Sequence, residues 1–162
     1  MLSKRPQKMI LLIGTANPVP GSGGKDGKYK YEIQETSPLF KALLNDKGPM
    51  VQVFIDHLMK LLGNGRVQPS VIRDMGAALR ELHALGMAVS EDSGEALLIQ
   101  AAGKGDVGAI KFLMKHLTIA TTQKAFDNGS LLMQGVRNNE VEVLQLVLST
   151  WTAIDLFVLV LH

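Results

Sequence analysis

The feature that most constrains this chain is that it repeats itself. Residues 97–116, LLIQAAGKGDVGAIKFLMKH, align without a gap on residues 131–150, LLMQGVRNNEVEVLQLVLST, 34 positions downstream. Leu97, Leu98, Gln100 and Val107 meet identical residues, and Asp106 meets Glu140. Ile110, Phe112, Leu113 and Met114 meet Leu144, Leu146, Val147 and Leu148. A period of this length makes each copy one supersecondary unit that must stack on a neighbour, because so small a unit cannot bury its apolar face alone. In each copy two apolar stretches flank a breaker, residues 103–105 or 137–139, so two short helices per unit are expected. Gly105 stands opposite Asn139, and these residue types most readily take the left-handed backbone that ends a helix. Asp106 and Glu140 then suit the start of the second helix, where exposed N–H groups favour negative charge.

The first copy also poses a chemical question. Gly103, Gly105 and Gly108 spell G-x-G-x-x-G, with Asp127 about 20 residues on, as in a dinucleotide-binding loop. A nucleotide-dependent oxidoreductase using residues 103–108 is therefore the rival reading. Two observations weigh against it. The second copy carries Arg137, Asn139 and Glu142 at the glycine positions, so the shared backbone does not need glycine for phosphate. The loop also wants a preceding β-strand, whereas EALLIQAA consists of good helix formers with a single β-branched residue.

Composition narrows the class further. With 162 residues the chain has room for one ordinary domain and a real core. Hydrophobic residues make up 46% but aromatics only 5%, which suits a mainly α fold better than a sandwich or barrel. Lys plus Arg number 17 against 15 Asp plus Glu, and a net charge of +2 sets up no strong field for nucleic acid. The absence of cysteine excludes disulfides, thiolate zinc sites and a cysteine nucleophile, and it fits a cytoplasmic location. Lys4, Arg5 and Lys8 precede MILLIG, with Gly14 and Ala16 at cleavage-like spacing, but the apolar run is too short for a signal peptide and reads as a short buried strand. The C-terminal run AIDLFVLVLH, interrupted by Asp155, is too short for a membrane span.

Residues 1–35 stand apart from the rest. GTANPVPGSGGKDGK, residues 14–28, should be an irregular loop. KYKYEI alternates, with Tyr29, Tyr31 and Ile33 on one face, so a β-hairpin of KMILLIG with KYKYEI is expected, or otherwise an N-terminal arm. Residues 36–150 form the repeat region, and 151–162 an apolar segment serving as cap, truncated repeat or interface.

A two-helix unit of this length could be a tetratricopeptide or an ankyrin repeat, and the loops separate the two. Turns DSGEA, residues 92–96, and DNGS, residues 127–130, precede the two matched helix pairs. LHALGMAVS, residues 82–90, looks like the end of a second helix with its outgoing finger, and SPLFKA, residues 37–42, is similar to the T-P-L-H-x-A hallmark. Residues 36–150 thus resemble the ankyrin-repeat family, in repeats near 36–63, 64–89, 90–119 and 120–150. The first has extra residues, LLNDKGPMVQ, between its helices, and the second has a poorly defined first helix. Ala96-Leu97 and Ser130-Leu131 stand where the family has its Thr-Pro pair.

The resemblance implies an ankyrin-type helix-turn-helix solenoid of about four repeats and a non-enzymatic module that binds another protein through its concave surface. Carried over by position, the partner-binding residues are Glu35, Leu44 and Asn45, then Ser93, Glu95 and Lys104, and finally Asn128, Arg137 and Asn138. Degenerate repeats of this kind resemble those of effectors that intracellular bacteria deliver into host cells, and a fragment of a larger ankyrin-containing enzyme is a further alternative. No cofactor or metal is expected. His57, His83 and His116 each fall near the end of a second helix, where the dipole favours them, and form no catalytic set. Leu156, Phe157, Leu159 and Leu161 leave the last helix almost without a polar face, so self-association through them is expected.

Overall fold

A computed structural model describes residue 8 and residues 11–14, 31–45, 47–63, 70–127 and 129–161, of which 151 and 153–161 by backbone only. The protein is mainly helical and divides into two compact units, Met1–Ser93 and Gly94–His162.

In the first unit, strand β1 (Tyr31–Ile33) pairs in parallel with β2 (Met87–Val89), in the register Tyr31↔Met87, Glu32↔Ala88 and Ile33↔Val89. The Tyr31 N–H donates to the Gly86 carbonyl at 2.7 Å and the Ser90 N–H to the Ile33 carbonyl at 3.3 Å, which extends the ladder at both ends. The expected hairpin with KMILLIG is not what forms. Residues 11–13 are helical, as their leucines favour. The buried Ile13 joins β1 only through its carbonyl, which accepts the Gln34 N–H at 2.9 Å. Gly14 follows with φ +88°, and a Cβ there would lie 2.8 Å from Gln34 Cβ, so glycine is required. The Gly/Pro-rich loop expected after it lies outside the described residues.

Helix α1 (Pro38–Leu44) is started by Ser37, whose Oγ accepts the Phe40 N–H at 3.1 Å. Pro38 occupies the first turn, where its missing N–H costs nothing. Leu39, Phe40, Ala42 and Leu43 are buried. Helix α2 (Gly48–Leu61) buries Val51, Ile55 and Leu58 at helical spacing. Only residues 45–47 separate it from α1, fewer than LLNDKGPMVQ suggests, because Pro49 sits in the first turn of α2 and does not break it. In α3 (Met75–Ala84) the Asp74 carboxylate accepts the Ala77 N–H at 2.6 Å, and Met75, Ala78, Leu79 and Leu82 are buried. Residues 70–74, which precede α3, are not helical, in line with the weak first helix of that repeat.

Helix α4 (Glu91–Lys104) begins at the boundary between the units. In the second unit it is followed by α5 (Val107–His116), α6 (Ile119–Asp127), α7 (Ser130–Arg137) and α8 (Val141–Leu161). The turns α4–α5 and α7–α8 are built alike. Gly105 has φ +70° and Asn139 has φ 57°. The Gly105 N–H donates to the Ala102 carbonyl and Asp106 to Ala101; 34 residues on, Asn139 donates to Val136 and Glu140 to Gly135. These are paired Schellman closures, in which the left-handed residue lets two N–H groups reach back to carbonyls that the helix leaves unpaired. Asp106 then caps α5, its carboxylate accepting the Ala109 N–H at 2.9 Å. Within the second pair, α7 approaches α8 closely at Gly135, where a Cβ would stand 3.0 Å from Leu144 Cδ2 and 3.6 Å from Val143 Cγ1. Its counterpart in the first copy is the fully buried Ala101.

One expected turn is helical instead. Residues 92–96 lie inside α4, because Ser90 caps the helix early, its Oγ accepting the Ser93 N–H. Gly94 is tolerated there because the Leu117 side chain fills the space of its missing Cβ. Before the second copy, Thr118 caps α6 by accepting the Thr121 N–H at 3.2 Å. The new helix buries Thr121, Thr122, Ala125 and Phe126. The turn at residues 127–130 falls as expected: α6 ends at Asp127, and Gly129, φ 64°, precedes α7.

Because the turn needs φ > 0, Gly105→Val and Asn139→Val should each cost about 1–2 kcal/mol or more, while Asn139→Gly should stay within about 1 kcal/mol of the parent, all read by denaturant titration. Leu113, fully buried on α5, should cost roughly 2–5 kcal/mol when replaced by Ala.

Candidate partner-binding surface

The surface of interest follows from how the two helix pairs sit against each other. The position of a Cβ on Gly103 lies 3.3 Å from Gln134 Oε1 and 3.7 Å from Asn138 Nδ2, so the C-terminal end of α4 abuts α7. The following turns also meet, since the space beside Gly105 is filled by the Glu140 carboxylate. The ends of the two first helices are therefore side by side.

Three of the expected residues, Lys104, Arg137 and Asn138, lie on these ends and are exposed. Asn138 closes α7, and its amide donates to the Gln134 carbonyl at 3.0 Å. Asn45 does the same for α1, donating to the Lys41 carbonyl at 2.8 Å. The two helix ends thus share one device, a side-chain amide that satisfies a carbonyl of the last turn. Leu44, at the end of α1, is half-buried, and Glu35, before α1, is exposed; both lie in the first unit with Asn45. Asn128 lies outside the described residues.

Ser93 and Glu95 depart from expectation. Ser93 is fully buried, and its Oγ accepts the Ser90 hydroxyl at 2.6 Å, so it belongs to the helix start and offers nothing to a partner. The reason is the helical course of residues 92–96, which turns Ser93 inward. Glu95 is mostly covered, and its carboxylate pairs with the Lys124 ammonium of α6 at 3.1 Å. Such a pair, with the lysine largely in water, contributes little to stability but fixes the direction of the carboxylate.

Beside these lies a residue outside the expected set. Met133 is 50% exposed on α7. It lies on the side opposite the buried Leu131 and Gly135 and adjoins Arg137 one turn on. An exposed methionine on a first helix is an adaptable apolar contact. In the sequence its exposure is hidden, because Met133 aligns with Ile99, apolar on apolar, which reads as core.

The rival chemistry can be placed as well. Residues 96–102 lie within α4, so a helix, not a strand, leads into the glycines; Gly103 is helical, and Gly108 belongs to α5. His116 rests its ring on Phe112, with centroids 4.3 Å apart. Among the described residues no three His, Asp or Glu side chains gather as a metal site, and no helix is long and apolar enough to cross a membrane. A crevice bounded by α1, α2 and α3, with Leu43, Val51, Ile72 and Ala78 among its lining, encloses about 10 Å³, room for one water.

The fold and this surface define a mainly helical protein with a duplicated helix pair. No protein-family model matches the chain, and no curated protein or solved structure shows significant similarity to it. Since α4 stands where a dinucleotide loop needs a strand, NAD(H) titrated in excess should leave the melting temperature unchanged, and a rise of several degrees would restore the oxidoreductase reading.

Proposed function

We propose that this chain is a non-enzymatic, ankyrin-like interaction module that binds another protein through the outward side of its first helices and the turns that follow them. The observation that carries this reading is the juxtaposition at Gly103, Gln134 and Asn138, by which successive first helices present their ends as one continuous strip. Lys104, Arg137 and Asn138 supply polar contacts on that strip, and Met133 supplies an apolar one. A few exposed anchors on a rigid helical frame suit recognition, since little conformational entropy is lost on binding. Glu35 and Asn45 are the corresponding contacts in the first unit. The cysteine-free composition suits a reducing compartment, and the module is placed in the cytoplasm on that ground.

A photo-crosslinking residue at position 137 or 138 should trap a protein partner in cells, whereas the same residue at the exposed Lys111 of α5 should not. Lys104→Glu combined with Arg137→Glu should abolish the crosslink with an unchanged circular dichroism spectrum. Equal trapping at 111 and 137 would remove the strip as the binding surface.

A further inference from the structure

The chain has no cysteine, so its eight methionines carry all of its sulfur. Peroxides oxidise thioethers to sulfoxides, and exposure decides which of them react first. Met75 and Met87 are sealed in the core, and Met59 and Met114 are half-buried. Met50 on α2 and Met133 on α7 are 55% and 50% exposed. Met1 and Met9 lie outside the described residues. Among the described methionines, an oxidant in solution therefore reaches Met50 and Met133 first.

The two differ in what stands next to them along their helices. Four residues on from Met133, one turn along the same exposed side of α7, is Arg137. Side chains at that spacing are neighbours, so the Met133 sulfur lies within reach of the Arg137 guanidinium. A thioether is only a weak acceptor and offers that group little. A sulfoxide oxygen is a strong one, and the guanidinium presents its N–H donors in a rigid fork. Four residues on from Met50 is Phe54, whose side chain has no N–H or O–H to donate. The duplication supplies a second comparison, since Ile99 and Gly103 take the places of Met133 and Arg137 in the first copy. Exposed sulfur and a neighbouring cation thus occur together on α7 and at neither of the two comparable places.

We infer that Met133 is a reversible oxidation site, at which hydrogen peroxide withdraws both Met133 and Arg137 from the binding strip by adding one oxygen atom. The thioether sulfur attacks one peroxide oxygen, an S–O bond forms as the O–O bond breaks, and the sulfur gives up two electrons. The departing hydroxide takes the proton left on the transferred oxygen, and one water is released. The apolar contact of Met133 becomes polar, and its new acceptor draws the Arg137 donors back along α7. Because Met133 lies opposite Leu131 and Gly135, the added oxygen meets solvent and leaves the core undisturbed. Methionine sulfoxide reductases with a thiol reverse the change. The consequence for binding rests on the strip being the partner surface proposed above, whereas the oxidation does not.

Intact chain treated with dilute hydrogen peroxide and mapped by peptide mass should gain an oxygen at Met133 and Met50 before Met75 or Met87. The Nε–H resonance of Arg137 in isotope-labelled protein should shift on this treatment, and should stay in place in Met133→Leu. A photo-crosslinking residue at position 138 should trap the partner from lysate about tenfold less after oxidation, with an unchanged circular dichroism spectrum. Trapping should return after incubation with the reductases and a dithiol, and should persist through oxidation in Met133→Leu. Met50→Leu should remain as sensitive as the parent. Oxidation of Met133 no earlier than that of the buried methionines, an unmoved Arg137 resonance, or trapping that peroxide leaves intact overturns the proposal. A reduced chain that traps nothing at position 138 instead removes the strip as a binding surface, and the mass and resonance measurements then decide the oxidation site by themselves.

Discussion

The second unit depends on a reversal of direction made by a single left-handed residue. At Gly105 and again at Asn139, one positive φ lets that residue's own N–H and the one after it close the helix behind them while the chain turns into the next. Without it, α5 could not leave the end of α4 in a new direction, with Leu97 buried on the one and Ala109, Ile110 and Leu113 on the other. That the same hydrogen bonds recur with glycine in one copy and asparagine in the other shows that the constraint is on backbone conformation. The residue type is secondary. This is also the physical reason that the G-x-G-x-x-G spacing has no need of a phosphate to explain it. The first glycine sits inside a helix beside its neighbour's Gln134, the second ends that helix, and the third is part of the helix that follows.

What the sequence made legible was whatever the repeat duplicates. The helix pairs, the left-handed turn and the acidic start of α5 all rest on local signals that two copies corroborate. Where a single copy spoke, the reading was weaker. DSGEA looks like a turn in isolation, but Ser90 offers an earlier cap and Leu117 supplies packing that only a glycine on α4 could accept. Thr118 starts a further helix that the repeat comparison does not cover, since four buried residues on α6 outweigh the modest helix propensity of its threonines. The strand partner was unreadable because a three-residue parallel pairing leaves no periodic trace, and Met87–Val89 lies far along the chain from Tyr31–Ile33.

The candidate surface was legible to the same extent. Lys104, Arg137 and Asn138 could be placed because they sit at the ends of duplicated helices, where position alone determines exposure. Ser93 and Glu95 could not, because their fate depends on partners brought in by tertiary structure: the Ser90 hydroxyl for one and the Lys124 ammonium for the other. Polar residues near helix ends serve two masters, the helix they close and the solvent they face. Here the helix claims Ser93 outright, and at Asn138 it engages the amide while leaving the residue at the surface.

The parallel β1–β2 pair has a kinetic meaning. Its two three-residue strands can meet only after residues 34–86 have been drawn into a closed loop, an entropic cost that few local contacts offset beforehand. Among the described helices of the second unit, by contrast, the pairs that pack together are neighbours along the chain or about one repeat period apart. Rates of folding fall as the mean separation of contacting residues rises. The C-terminal unit is therefore the faster of the two to assemble, and the N-terminal one sets the pace at which the whole chain reaches its final form.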